Sequence, residues 1–239
     1  MRNNYKLNNK PGYSLLLLSG GVGQRSGHHE PKQFYELNGH PMIAYSLMAA
    51  LEEPLISEII VNAPVGYKEY TADLMRRYCK DKFFKVVSPG QTRQESCYKL
   101  LKASSYDNVV LHEAARPFVD REMYSTLINC DSPNAGYCYP ISFSMCKIDT
   151  VTKQIIERVS RDEVFNIQLP QKFERSTLMR AHELALKEKK EFTEDALMVV
   201  LMTGEPVLSL VGASRNKKVT NPEDFVIAEK MLSILEEEK

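Results

Sequence analysis

The 239-residue sequence has no excess charge of either sign, since 31 lysines and arginines stand against 31 aspartates and glutamates. A duplex nucleic acid needs a basic face, so none is expected as a partner, and any anion must be held by cations placed locally. Cysteine is sparse: there are five, an odd number, and none forms a Cys-x-x-Cys pair, which argues against a disulfide framework and the common zinc spacings. Long apolar runs are missing as well. The run at 15–18 follows Arg2, Lys6 and Lys10 but is too short for the core of a secretory signal. No stretch approaches the roughly 20 apolar residues of a membrane span, so a soluble cytoplasmic protein is the default expectation. His28, His29, His40 and His182 make no Ser/His/Asp or Cys/His set in a workable order, so nucleophilic catalysis by a side chain is not expected.

Two familiar glycine signatures are absent too. A P-loop requires Gly-Lys-Ser/Thr, yet His28 follows Gly27; a dinucleotide fingerprint begun at Gly21 would need glycine where Ser26 stands. What is there is an apolar strand running into Ser19-Gly20-Gly21-Val22-Gly23-Gln24-Arg25, with Pro31-Lys32-Gln33 close behind. Glycines let backbone N–H groups approach phosphate oxygens, and Arg25 and Lys32, seven positions apart, add the charge to hold a triphosphate and a departing pyrophosphate. A strand–turn–helix connection with incidental glycines is the plainer alternative.

The length and the 43% hydrophobic content suit one large domain at 13–239, with a disordered N-terminal segment at 1–12. Strand-like runs at 15–18, 58–63, 85–88, 108–112, 136–140 and 207–211 alternate with helical patterns at 41–51, 67–79, 93–103, 121–130, 174–189, 194–203 and 221–237. The alternation predicts an α/β fold around a mainly parallel sheet flanked by helices. One segment breaks it: 142–168 reads as a hairpin turning at 152–154, a protruding arm suited to dimerisation.

Three further motifs carry chemistry. Gly90-Gln91-Thr92-Arg93-Gln94-Glu95-Ser96 opens a helix after a strand, at the sheet edge where open α/β folds bind ligands, so Gly90, Arg93 and Ser96 are placed to meet a base. An ordinary helix start with a solvated Arg93 is the alternative. His112-Glu113-Ala114-Ala115-Arg116 also ends a strand; Glu113 is a candidate Mg²⁺ ligand and Arg116 a candidate phosphate contact, against a structural Glu–Arg ion pair. Phe192-Thr193-Glu194-Asp195 reads either as a loop hydroxyl for a ligand or as an N-cap with acids in the first helical turn, and Lys218 stands on a loop before a helix.

Taken in order, Gly-Gly-x-Gly-x-Arg, Pro31-Lys32-Gln33-Phe34, Gly90-x-x-Arg93-x-x-Ser96, His112 to Pro117, Leu169-Pro170-Gln171-x-Phe173 and Lys218-Val219-Thr220-x-Pro222-Glu223-Asp224 resemble the 2-C-methyl-D-erythritol 4-phosphate cytidylyltransferase family. The resemblance implies a fold like the nucleotide-diphospho-sugar transferases, a homodimer joined through the β-arm, and CTP and a polyol phosphate as substrates with Mg²⁺. By it, Ser19, Gly20, Gly21, Gly23, Arg25 and Lys32 bind the triphosphate, and Gly90, Arg93 and Ser96 the cytosine end. Glu113 lies at the metal; Arg116, Ser144, Arg161 and Thr193 surround the acceptor, Arg161 coming from the neighbouring subunit, and Lys218 reaches the reacting centre. Glu113 stands where the family usually has Asp, and Phe143 where it has Asp in Pro-Val-x-Asp-Thr. These acceptor-side changes leave a ribitol 5-phosphate or other polyol-phosphate enzyme and a CTP-binding inactive homologue open beside the methylerythritol phosphate enzyme.

Overall fold

The computed structural model describes residues 12–21, 30–79 and 81–237. Among them run, in chain order, β1 (Tyr13–Leu18), β2 (Glu36–Leu37), β3 (His40–Pro41), α1 (Met42–Leu51), β4 (Ile56–Asn62), α2 (Lys68–Tyr78), β5 (Phe83–Val87), α3 (Arg93–Ala103), β6 (Asn108–Glu113) and α4 (Arg121–Asn129). Then follow β7 (Ala135–Pro140), β8 (Met145–Ile148), β9 (Ile155–Val159), β10 (Phe165–Glu174), α5 (Arg175–Lys187), α6 (Asp195–Thr203), β11 (Leu208–Val211) and α7 (Pro222–Glu237). The segment expected to be disordered, 1–12, lies outside the described residues as far as 11. No helix among the described residues is long and apolar enough to cross a membrane.

The central sheet has seven strands in the order β11-β7-β10-β6-β1-β4-β5. All are parallel except β10, which is antiparallel to both β6 and β7. Helices cover both faces, so β1 is apolar without interruption from Leu15 to Leu18. Leu15 and Leu17 pack with Ile59, Val61 and Val110 in one core layer; Leu16 packs with Ile60, Leu111 and Phe173 in the other, as the two-residue period of a strand requires. α7 closes a third cluster over Leu37, Met42 and Phe118. It starts at Pro222 as expected, and the Asp224 carboxylate reaches back to accept from the backbone N–H groups of Thr220 (2.7 Å) and Asn221 (2.8 Å).

Two expectations are corrected. The segment 142–168 is not one hairpin: the arm is β8 with β9, whose turn carries Lys153 at φ 60°, while β10 leaves the arm and enters the middle of the main sheet. The helix expected from 174 starts at Arg175, after that strand. The second correction concerns α6, whose N-cap is Glu194 rather than Thr193, with no side-chain cap bond.

Chain order reverses at β1, since β4 and β5 lie to one side of it and β6 to the other. Leu18 pairs with Glu113 across that junction. The loops after β1, β5 and β6 therefore converge on one sheet edge, the place where a crevice opens in such folds.

Candidate active site

The crevice is a cleft of about 680 Å³ walled by the three converging loops and by Lys218 and Thr220 from the segment before α7. Ser19, Gly20, Gly21, Lys32, Gly90, Arg93, Ser96, Glu113 and Lys218, all singled out from sequence, line it. Gly23 and Arg25 lie outside the described residues. Glu113 is the sole carboxylate among the described lining residues, against the three cations Lys32, Arg93 and Lys218.

Packing dictates the glycines. A Cβ on Gly20 would stand 2.6 Å from the Pro89 Cβ, so the β1 loop leans directly on the β5 loop. On Gly90 it would meet the Ser96 nitrogen at 2.6 Å, because the chain folds tightly onto the first turn of α3. There the Gly90 N–H donates to Ser96 Oγ (2.9 Å), the Gln91 N–H to Glu95 Oε2 (2.7 Å) and the Glu95 N–H to the N-cap Thr92 Oγ1 (3.1 Å). These bonds satisfy the open end of the helix and fix the loop. The Gln91 N–H, then Lys99, hold the Glu95 carboxyl below its ordinary pKa.

Sequence reasoning quoted Gln33 but gave it no task. Its buried amide donates to the carbonyls of Ser19 (2.6 Å) and Gly21 (3.0 Å), gripping the glycine loop from below. Lys32, beside it on a single 3₁₀ turn, donates to the Val219 carbonyl (2.7 Å) and so joins the two opposite walls.

Glu113 is buried and ionised. Arg116 Nε donates to its Oε1 (2.8 Å) and Lys218 Nζ to its Oε2 (2.5 Å). Burial alone would raise its pKa, but Lys218 and then Arg116 outweigh that and hold it down to about 2. Arg116 is not among the residues lining the cleft: its guanidinium donates to Glu113, the ion pair weighed from sequence, and to the Asn216 carbonyl (2.8 Å). Asn216 in turn donates to the Leu169 carbonyl (2.6 Å). Neighbouring His112 is fully buried, and its pKa falls to about 4 through that burial.

Arg93 is not simply solvated. Its Nη1 donates to Asp195 Oδ2 at 2.6 Å, across 102 positions of chain. Burial opposes the charge, but Asp195, followed by Cys97 and Glu194, more than compensates, and the guanidinium pKa is raised. Asp195, read from sequence as a first-turn acid, is a partner of the cleft wall; only its position just inside α6 hinted at anything.

The acceptor-side residues stand apart from the cleft of their own chain. Arg161 lies exposed on a 3₁₀ turn after β9, donating to the Ser142 carbonyl (3.1 Å), and Ser144 is exposed on the arm beside Phe143. Thr193 is exposed before α6. None of the three lines the cleft.

The family model for 2-C-methyl-D-erythritol 4-phosphate cytidylyltransferase matches residues 14–234. A curated cytidylyltransferase of that name from Clostridium botulinum is 32% identical over 225 residues, covering 93% of this chain and 98% of that protein. One from Halalkalibacterium halodurans is 31% identical over 224 residues, covering 92% and 97%. Among solved structures, the 2-C-methyl-D-erythritol 4-phosphate cytidylyltransferase of Thermus thermophilus superposes with a TM-score of 0.76 at 26% identity, covering 93% of this chain and 99% of that one. The 4-diphosphocytidyl-2C-methyl-D-erythritol synthase of Anaerococcus prevotii, at 23% identity, shares the fold with a TM-score of 0.82 over 94% of this chain and all of that one. With the match running from β1 nearly to the end of α7, this chain belongs to the 2-C-methyl-D-erythritol 4-phosphate cytidylyltransferase family.

Proposed function

We propose that the chain transfers CMP from CTP to 2-C-methyl-D-erythritol 4-phosphate, releasing pyrophosphate. An oxygen of the acceptor phosphate attacks the α-phosphorus, and the bond from that phosphorus to the α–β bridging oxygen breaks. A phosphate monoester with a second pKa near 6 is mostly dianionic at neutral pH, so the attack needs no general base. Positioning and charge then supply the rate. The observation that carries this reading is three cations and two glycine-bearing loops around one cleft that holds a single carboxylate among its described lining residues.

Ser19, Gly20, Gly21 and Gly23 cradle the triphosphate, while Arg25 and Lys32 take up charge on the leaving pyrophosphate. Gly90, Arg93 and Ser96 face the cytosine, where a tight backbone pocket excludes purines by size and uracil by mismatched hydrogen bonds. Lys218 faces the α-phosphate. Ser144, Thr193 and Arg161 serve the acceptor, Arg161 being delivered by a partner subunit's arm in a homodimer. Arg116 holds Glu113 in place and serves the acceptor phosphate.

Mg²⁺ fits the donor chemistry at Glu113, whose ionised oxygens already bind cations; one of these, Lys218, has a side chain 40% exposed that can swing away. When bound there, the ion supplies positive charge to phosphate oxygens.

The test is pyrophosphate release with CTP and a panel of acceptors including ribitol 5-phosphate. Turnover is expected with the methylerythritol phosphate and poor with ATP, GTP or UTP. Preference for another polyol phosphate would move the acceptor, and CTP binding without any turnover would mark an inactive homologue.

A further inference from the structure

Behind the nucleotide wall of the cleft lies a buried polar cluster that the reaction scheme leaves unused. Cys97 from α3, His182 from α5 and Asp195 at the start of α6 bring ligand-type atoms within 4.8 Å of one another, all buried. A metal could use such a trio, but the Arg93 guanidinium already sits 2.6 Å from the Asp195 carboxylate and would repel a second cation. The neighbours point to a different task. Burial, and then Asp195, raise the Cys97 thiol well above its ordinary pKa, so it stays protonated. Burial lowers the pKa of His182, so the imidazole tends to stay neutral, and its Nε2 stands 3.6 Å from Asp195 Oδ1, too far to bond. Glu194, next in line, accepts from Gln171 Nε2 (3.0 Å). The Asp195 charge therefore has one strong counter-charge in this cluster, Arg93, and the N-terminus of α6 favours the anion.

The two ends of the pair differ in exposure, and the difference sets the direction of the effect. The Asp195 side chain is 1% exposed and anchored among α3, α5 and α6, whereas that of Arg93 is 25% exposed and reaches the cleft. Resting on the nucleotide reading of this cleft, we infer that Asp195 is a positioning residue: it locks the Arg93 guanidinium against the wall before CTP arrives, so that nucleotide affinity depends on a carboxylate that never touches the nucleotide. An arginine has several rotatable bonds, and immobilising it beforehand removes a cost that binding would otherwise bear.

A double-mutant cycle read as KM for CTP against kcat tests this. Asp195→Asn keeps the side-chain volume and removes the charge; Arg93→Ala removes the guanidinium. Each should raise KM for CTP about ten- to a hundredfold with a much smaller change in kcat. The double variant should be no worse than Arg93→Ala, because the carboxylate acts through the guanidinium. A merely structural Asp195 would lower the folded fraction and the apparent kcat while leaving KM unchanged; that result, or additivity in the double variant, overturns the inference. If Arg93→Ala itself leaves KM unchanged, the nucleotide reading of this wall falls and takes the inference with it. A raised KM in Arg93→Ala beside an unchanged one in Asp195→Asn removes the inference alone. Should Asp195→Asn fail to fold, the wild-type protein decides by NMR. The Arg93 side-chain N–H signals, assigned by their loss in Arg93→Ala, should show hindered rotation without nucleotide and shift on adding CTP. Freely rotating signals that CTP does not move would overturn the inference.

Discussion

Lys218 Nζ lies 2.5 Å from Glu113 Oε2, so the segment leading into α7 is fastened to the C-terminal end of β6 by a charge pair at the mouth of the cleft. Glu113 also carries Arg116, and removing it would strand two cations, one of them buried. Glu113→Gln should therefore weaken the dependence of turnover on Mg²⁺ and also cost stability, on the order of 3 kcal/mol as for a broken buried pair. Glu113→Asp should keep appreciable activity, because the shorter carboxylate still offers a hard anionic oxygen. Magnesium titrations of turnover and denaturant melts on both variants check this; an unchanged magnesium optimum in Glu113→Gln would remove the metal from this residue.

Lys32 should matter more to rate than to folding. Its ammonium sits at the cleft and holds the Val219 carbonyl. Lys32→Ala should lower kcat by roughly two to three orders of magnitude, as removal of one preorganised charge-stabilising donor does. Losing one side-chain bond to a backbone carbonyl should shift stability by only about 1 kcal/mol. Steady-state kinetics beside thermal unfolding separates the two effects, and unchanged kinetics would sink the leaving-group assignment.

Acid should weaken the fold in two overlapping stages. His112 is buried neutral with its pKa lowered by burial from 6.5 to about 4, so the unfolded chain binds this proton first. The stability it contributes is complete above pH 6.5 and is lost as pH falls toward 4. Glu113 is held down from 4.5 to about 2, so its contribution is complete above 4.5 and fades as pH falls toward 2. A His112→Gln variant should lose the first stage and Glu113→Gln the second. Urea unfolding from pH 7 to pH 3 measures both, and a wild-type profile flat from pH 6.5 to 4 would contradict the His112 assignment.

The inner parallel strands β1, β4 and β6 were legible because they are largely buried on both faces and carry apolar runs, Leu15 to Leu18 above all. β10 was not, and its composition explains why. Gln168, Gln171 and Lys172 are buried in the middle of the sheet, each answered by a distant partner: Ala213, Glu194, and the Ile128 and Cys130 carbonyls closing α4. A strand that buries amides and an ammonium around Pro170 defeats any reading by hydrophobic period. The same limit applied at the site. Motifs next to strand ends pointed to residues that line the cleft, but the bonds of Gln33 to the glycine loop and of Asp195 to Arg93 join elements distant in sequence. The pairing of Arg116 with Glu113, three positions away, was legible, whereas its bond to the Asn216 carbonyl, 100 positions on, was not.

The arm gives the last prediction. Ile148, Val151, Ile155 and Ile156 on the β8–β9 ribbon are all more than half exposed, an apolar surface that a two-stranded arm rarely leaves bare. Arg161, just after β9, does not line the cleft of its own chain. If a two-fold partner receives this arm, each active site combines Lys32 of one protomer with Arg161 of the other. Arg161→Ala and Lys32→Ala homodimers should each be weak, since every site carries one lesion. In a mixed dimer both lesions fall in one composite site and the other is intact. Random pairing makes about half the dimers mixed, so roughly a quarter of all sites should work when the variants are co-expressed. Two affinity tags, one on each variant, isolate the mixed dimer, in which about half the wild-type activity should return. Failure to recover activity in verified mixed dimers would return Arg161 to its own subunit or remove it from the chemistry.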